Sequence, residues 1–198
     1  MMERTIRSPN WSPRPRGLLD VYGAILHHTV SAGSSAVAVA NMFSRASFEV
    51  AAHDVVGDDG LVIHCVPYKH AAWQAGLCRR YDWDRDGQLE AWESAVNSHT
   101  IGIELCNRGD GKDSYPDVQV RTCAALIRRY DRLCPNFRLR DVTDHEAVNL
   151  RGKIDLQPNF PAARLFWYIL HPRKDAPAGG AYAHLPEWAQ RQVDEVRR

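Results

Sequence analysis

The spacing of apolar and polar positions divides the chain into short strands and amphipathic helices. "YGAILHH" (22–28) reads as a buried strand, and "SSAVAVANMFSR" (34–45) after it as a helical stretch. "HDVVGDDGLVIHCV" (53–66) sets Asp59-Gly60 between two β-branched runs, which predicts a hairpin. "HTIGIELC" (99–106) and "RLRDV" (138–142) are further strand candidates. In "PDVQVRTCAALIRRYDRLCP" (116–135), Val120, Cys123, Ile127, Tyr130 and Cys134 fall along one helical face. "FPAARLFWYIL" (160–170) predicts a further helix with proline near its start. "HPRKDAPAGGAY" (171–182) reads as a linker to a short amphipathic helix, "LPEWAQRQVDEVRR" (185–198). Strands interleaved with helices indicate an α/β layer sandwich.

Composition narrows the partners. With 198 residues, 44% hydrophobic and 25% charged, the chain suits one globular domain whose interior needs no staples. A formal net charge of +1 argues against nucleic acid as a partner. The longest apolar runs, such as "LFWYIL" (165–170), are too short to span a bilayer, so no membrane role is expected. The opening "MMERTIRSPNWSPRPRG" has charge and proline but no apolar stretch of a secretory signal, so synthesis in the cytoplasm is expected. The 5 cysteines form no CxxC pair and suit free thiols, mostly in the core. A monomer is expected.

Candidate chemistry gathers in three places. "HEAVNLRGKID" puts His145, Lys153 and Asp155 at relative positions 0, +8 and +10. His27 ends the first apolar strand, where side chains emerge into a cleft. Glu104 lies inside the apolar strand "TIGIELC", an odd place for a carboxylate because burying a lone charge is costly. Two imidazoles and one carboxylate make the protein's share of a catalytic zinc site, with the fourth position open. A nearby glutamate could then take a proton from water, and a lysine could stabilise an oxyanion. Taken singly, each residue also has an ordinary reading. A lone histidine is usually a surface or supporting residue, Glu104 could face solvent on an edge strand, and Lys153 with Asp155 could be a charged loop.

In order along the chain, "SPNWSPRPRG", "ILHHT", "DDGLVIHCVP", "AAWQAG", "NSHTIGIEL" and "DHEAVNLRGKID" resemble the blocks of the zinc-dependent N-acetylmuramoyl-L-alanine amidases. That family includes amidase-type phage lysozymes and looks like the peptidoglycan recognition proteins. The resemblance implies one zinc ion held by His27, His145 and Asp155, with Glu104 as general base and Lys153 stabilising the tetrahedral intermediate. It implies peptidoglycan as substrate, cleaved between N-acetylmuramic acid and L-alanine, and a central mixed β-sheet flanked by helices. Trp73 and Gln74 would stand on the substrate groove. The chain departs from the family pattern in four places, one of them His64, which stands where the hairpin often carries glutamine. "WQAG" carries Gln74 where the family usually has histidine, Ala52 replaces a tyrosine used by one branch, and Leu156-Gln157 replaces Pro-Gly. His28 and His53 are expected to support or pack rather than ligate.

One motif stands apart from these blocks. "DWDRDGQLEAWE" (82–93) has acidic residues at positions 1, 3, 5, 9 and 12, glycine at 6 and leucine at 8, the ligand spacing of an EF-hand calcium loop. Asp82, Asp84, Asp86, Gln88 through its carbonyl, Glu90 through water and Glu93 would hold one structural calcium, with Leu89 packed inward. The incoming helix could be only "LCRRY" (77–81), so a clip is expected rather than a switch. Residues 1–170 are thus expected to form the amidase domain with an insertion at 77–96, and 171–198 a linker and terminal helix. Three functions remain open. The leading one is a phage endolysin released to the wall through a pore made by another protein. The others are a non-catalytic peptidoglycan-binding protein and a cytoplasmic amidase recycling wall fragments.

Overall fold

The computed structural model describes residues 1–30, 35–82, 87–89, 91–150, 152, 155–156, 159–172 and 185–196. In chain order the strands and helices are β1 (Glu3–Thr5), β2 (Trp11–Pro13), β3 (Gly23–His28), α1 (Ala36–Phe43), β4 (Asp54–Val56), β5 (Val62–His64) and β6 (His70–Ala72). There follow α2 (Val96–His99), β7 (Thr100–Leu105), α3 (Asp117–Leu133), β8 (Val142–Asp144), α4 (His145–Val148), α5 (Ala162–Leu170) and α6 (Glu187–Val196). A mixed six-stranded sheet runs β1-β5-β4-β7-β3-β8. Its one antiparallel pair is the β4–β5 hairpin, and every other neighbouring pair is parallel. β2 and β6 form a small antiparallel pair beside it. This is the expected α/β fold, a central mixed sheet flanked by helices.

The two-residue period of a strand assigns the faces. Ala24, Leu26, Ile101, Ile103, Leu105 and Val142 pack with Val120, Ile127 and Tyr130 of α3 and with Leu165 and Phe166 of α5. α6 closes the same side with Ala189 and Val193, and Trp188 meets Phe166 edge-on at 6.0 Å between ring centroids. On the opposite face, Val55 and Ile63 pack with Ala36, Val39, Ala40 and Phe43 of α1, whose first turn is capped by the Ser35 hydroxyl accepting from Ala38 N–H. Each such fully buried aliphatic contributes roughly 1.5–3 kcal/mol. All 5 cysteines are buried free thiols, and burial pushes Cys65 up to about 12.

Several local expectations change. Residues 77–81 form no helix, because their backbone pairs with the chain after α4: Cys78 bridges Asn149, and Arg79 N–H donates to Val148 O at 2.8 Å. The strand expected at 138–142 begins only at Val142; Leu139–Asp141 make a 3-10 turn, with Arg138 against Asp141 at 2.8 Å. Leu89 is 56% exposed rather than packed inward, since neither a flanking helix nor a second hand covers it among the described residues. Residues 173–184, where the linker is expected, lie outside the described residues. Among the described residues no helix is long and apolar enough to cross a membrane.

Two buried polar groups tie the N-terminal segment down. Arg14, 5% exposed, donates to the backbone carbonyls of Tyr68 (2.7 Å), Asn97 (3.1 Å) and Thr100. Asp54, fully buried, accepts from Tyr68 Oη at 2.9 Å and from Tyr130, and meets His64 Nδ1 at 2.5 Å. His64 Nε2 in turn lies 3.0 Å from Glu3 of β1, which Arg129 of α3 also grips. The Arg129 contact, acting against burial, holds the Glu3 carboxyl at about 2. The Asp54 hydrogen bond outweighs burial at His64 and raises its pKa above the ordinary 6.5. A raised imidazole pKa gives stability that is complete below the unfolded value and is lost as pH rises through the folded one. Urea unfolding should therefore show stability falling as pH rises above 6.5, and His64→Gln should flatten that slope. An identical slope in the variant would assign the effect elsewhere.

Candidate metal centre and catalytic groove

Three strand ends build the site. In the parallel register His27 of β3 pairs with Glu104 of β7. On its other side Leu26 pairs with Asp144 of β8, so the next residue, His145, stands beside His27. Glu104, His27 and His145 are thus neighbours across three strands, and paired residues of parallel strands project from the same face. His145 opens α4, a short helix capped by Asp144, whose carboxylate accepts from Ala147 N–H at 2.9 Å. Burial pushes Asp144 up to about 7. The chain then returns to bring Asp155 against both histidines. Leu156, fully buried and left-handed at φ 71°, makes the turn where the family's Pro-Gly is replaced.

The donor atoms converge. His27 Nδ1 lies 3.1 Å from His145 Nδ1 and 3.4 Å from Asp155 Oδ2, and His145 Nδ1 lies 2.5 Å from the same oxygen. One donor atom from each residue falls within 4.8 Å of the others. Ligands on a tetrahedral zinc at about 2.0–2.1 Å stand roughly 3.3 Å apart, so the two distances from His27 already match an occupied edge. His145 Nε2 faces the Ala75 carbonyl at 3.0 Å, with the Asn149 amide beside it at 3.1 Å. Ala75 O accepts at Nε2 and the Asp155 carboxylate accepts at Nδ1, so a cation in place of the Nδ1 proton would leave His145 neutral, with its ring proton on Nε2 and its Nδ1 lone pair free to ligate. Burial lowers the pKa of His27, which disfavours relieving the crowding with an extra proton. Burial opposes ionisation of Asp155, yet the hydrogen bonds of His145 and His27 hold it well below the usual carboxylate range. Two imidazoles facing an ionised carboxylate fit a divalent cation.

The site opens into a cavity of about 560 Å³. Glu104, Trp73, Gln74 and Asn97 line it with the histidines, and Val39, Met42, Phe43 and Phe48 form an apolar arm. Trp73 is 38% exposed, its indole donating to Ser12 Oγ at 2.7 Å. Gln74 is largely buried and its amide is already engaged by His27 and Thr100. Sequence reasoning missed that engagement, whose partners are far apart in the chain. His28 projects from the opposite face of β3, yet its Nε2 lies 3.6 Å from Asp155 Oδ1 and its Nδ1 accepts from Leu156 N–H at 3.3 Å, steadying the carboxylate. His53 is fully buried, accepting from Gly102 N–H and facing His70 O. Lys153 lies outside the described residues, as do Asp84, Asp86 and Glu90 of the acidic loop. Of that loop, Glu93 is buried, Gln88 is exposed, and Gly87, left-handed at φ 86°, donates from its N–H to Asp82 Oδ2 at 3.2 Å.

A two-histidine, one-carboxylate donor set at the ends of parallel strands is suited to metal-assisted hydrolysis. Residues 18–158 match the N-acetylmuramoyl-L-alanine amidase family, and the chain belongs to it. It is 31% identical over 123 residues to the 1,6-anhydro-N-acetylmuramyl-L-alanine amidase AmpD of Citrobacter freundii, a match covering 60% of this chain and 57% of that relative. Its fold is similar to that of a selenomethionine AmpD derivative, with TM-score 0.59, 24% identity, and 80% of this chain and 89% of that one covered. It is likewise similar to a mutant endolysin from Bacillus subtilis, with TM-score 0.56, 21% identity, and 79% and 91% of the two chains covered.

Proposed function

We propose that the protein is a zinc-dependent N-acetylmuramoyl-L-alanine amidase, hydrolysing the amide between the lactyl group of N-acetylmuramic acid and the L-alanine of the stem peptide. The convergence of His27 Nδ1, His145 Nδ1 and Asp155 Oδ2, with Glu104 in the adjoining register position, carries the reading. His27, His145 and Asp155 would hold the metal, which when bound supplies a Lewis acid that activates water and polarises the scissile carbonyl. Glu104 takes the proton of the attacking water and returns it to the departing alanine nitrogen. Lys153 is the proposed cation for the charge that develops on the carbonyl oxygen. Trp73 offers an exposed aromatic face to substrate at the cavity wall.

Two settings suit this chemistry. As an endolysin the protein would attack intact wall. As a recycling amidase it would take soluble fragments, a reading supported by the likeness to the 1,6-anhydro-N-acetylmuramyl-L-alanine amidase AmpD. Mass spectrometry of products from intact sacculi and from soluble 1,6-anhydro-muropeptides decides between them by which is turned over. Released stem peptides should carry a free L-alanine amino terminus in either case. Cleaved glycan or internal peptide bonds would refute the amidase reading.

The purified protein should carry about one zinc, and His145→Ala should lose both the metal and turnover. Glu104→Gln should keep the metal while its rate falls about 10²-fold or more. Near-normal turnover by Glu104→Gln would pass the proton to another group.

We also infer one structural calcium at 82–93, supported by the Asp82–Gly87 hydrogen bond across the acidic spacing. In zinc-loaded protein, added calcium should raise the melting temperature by several degrees through mass action. Asp82→Ala combined with Glu93→Gln should abolish the gain. An equal gain in both proteins would mean an ordinary acidic loop.

A further inference from the structure

Gln74 follows β6, and its side chain lies over the middle of β7, ending between His27 and Thr100. Its Oε1 lies 3.1 Å from His27 Nε2, and its Nε2 lies 3.0 Å from Thr100 Oγ1 and 3.5 Å from Thr100 O. The Thr100 hydroxyl spends its proton on Val96 O at 2.8 Å, so both Thr100 oxygens face Gln74 as acceptors. Only the NH₂ end of the amide satisfies them, which turns the amide oxygen towards His27. An oxygen in that place requires the proton of neutral His27 on Nε2.

Thr100 is itself fixed, since its carbonyl also accepts from buried Arg14. The Asn97 side-chain oxygen holds the Gln74 backbone by accepting from the N–H groups of Gln74 (3.3 Å) and Ala75 (2.9 Å). Room for the amide comes from Gly102. A Cβ at that position would stand 1.7 Å from Gln74 Oε1 and 2.5 Å from its Cδ. Any other residue there would displace the amide.

We propose that Gln74 is a positioning residue for the metal site, locking His27 in the tautomer whose Nδ1 lone pair points at His145 Nδ1 and Asp155 Oδ2. This rests on reading that cluster as a metal site. Gly102 is the second half of the device, because it leaves the space through which the amide reaches His27. Groups that orient a ligating imidazole typically contribute about 10- to 100-fold in metal affinity.

The experiment uses the full chain. In the metal-free wild type, long-range proton–nitrogen NMR correlations of the His27 ring should show Nε2 protonated and Nδ1 bare. Zinc affinity is then measured by competition with a chromophoric chelator. Gln74→Met keeps length but loses the acceptor, and should weaken zinc binding about 10- to 100-fold. Gln74→Glu restores an acceptor to His27 Nε2 and should recover part of that loss. Gly102→Ala leaves Gln74 in the sequence but evicts its amide, and should weaken binding like Gln74→Met. A proton on His27 Nδ1 in the wild type overturns the proposal, whether or not any variant folds. Unchanged zinc affinity in folded Gln74→Met overturns it while leaving the metal site standing. A wild type that takes up no zinc overturns both readings.

Discussion

The scaffold brings two imidazole nitrogens and a carboxylate oxygen together at the ends of adjacent strands. His27 Nδ1 and His145 Nδ1 lie 3.1 Å apart beside an oxygen of Asp155, away from the water that would screen them. Strand register makes this possible. β3 lies between β7 and β8 in parallel, its own side chains buried throughout, so its end cannot relax sideways. The supporting contacts act on the same problem from outside. Ala75 O directs one ring, Gln74 the other, and His28 steadies the carboxylate from the far side of the strand.

The sheet is polar on both faces near its strand ends, with different results. On the α3 side, Asp54 is surrounded by His64, Tyr68 and Tyr130, each able to offer a hydrogen. That cluster is satisfied by its own members and fastens β1 to the body through Glu3. On the other face two histidines crowd one carboxylate oxygen of Asp155. A satisfied network stabilises a fold, whereas two imidazoles crowded on one carboxylate form a donor set that could hold a cation.

Much of this was readable in the sequence wherever a single segment carried the signal. The apolar runs at 22–28 and 99–106, the Asp59-Gly60 hairpin and the helical face of Val120, Cys123, Ile127 and Tyr130 all form as their periods indicate. Glu104 stood out as a carboxylate inside an apolar strand, and it lines the cavity with the histidines. Where pairing with distant residues decides, local pattern was silent. β1 and β6, three residues each, exist through their partners. Residues 77–81 form no helix because the chain after α4 pairs with them at Cys78 and Arg79, and Leu89 stays exposed because nothing among the described residues covers it. Gln74 read as a residue of the groove wall, since its engagement with His27 spans 47 residues.

Arg14 ties together segments that lie far apart in the chain. Its carbonyl partners lie 54, 83 and 86 residues further along the chain, so each contact closes a long loop before it returns any stabilisation. One guanidinium thus joins the N-terminal segment to Tyr68, Asn97 and Thr100 at once, and its loss would leave backbone carbonyls short of a donor at three points of the chain.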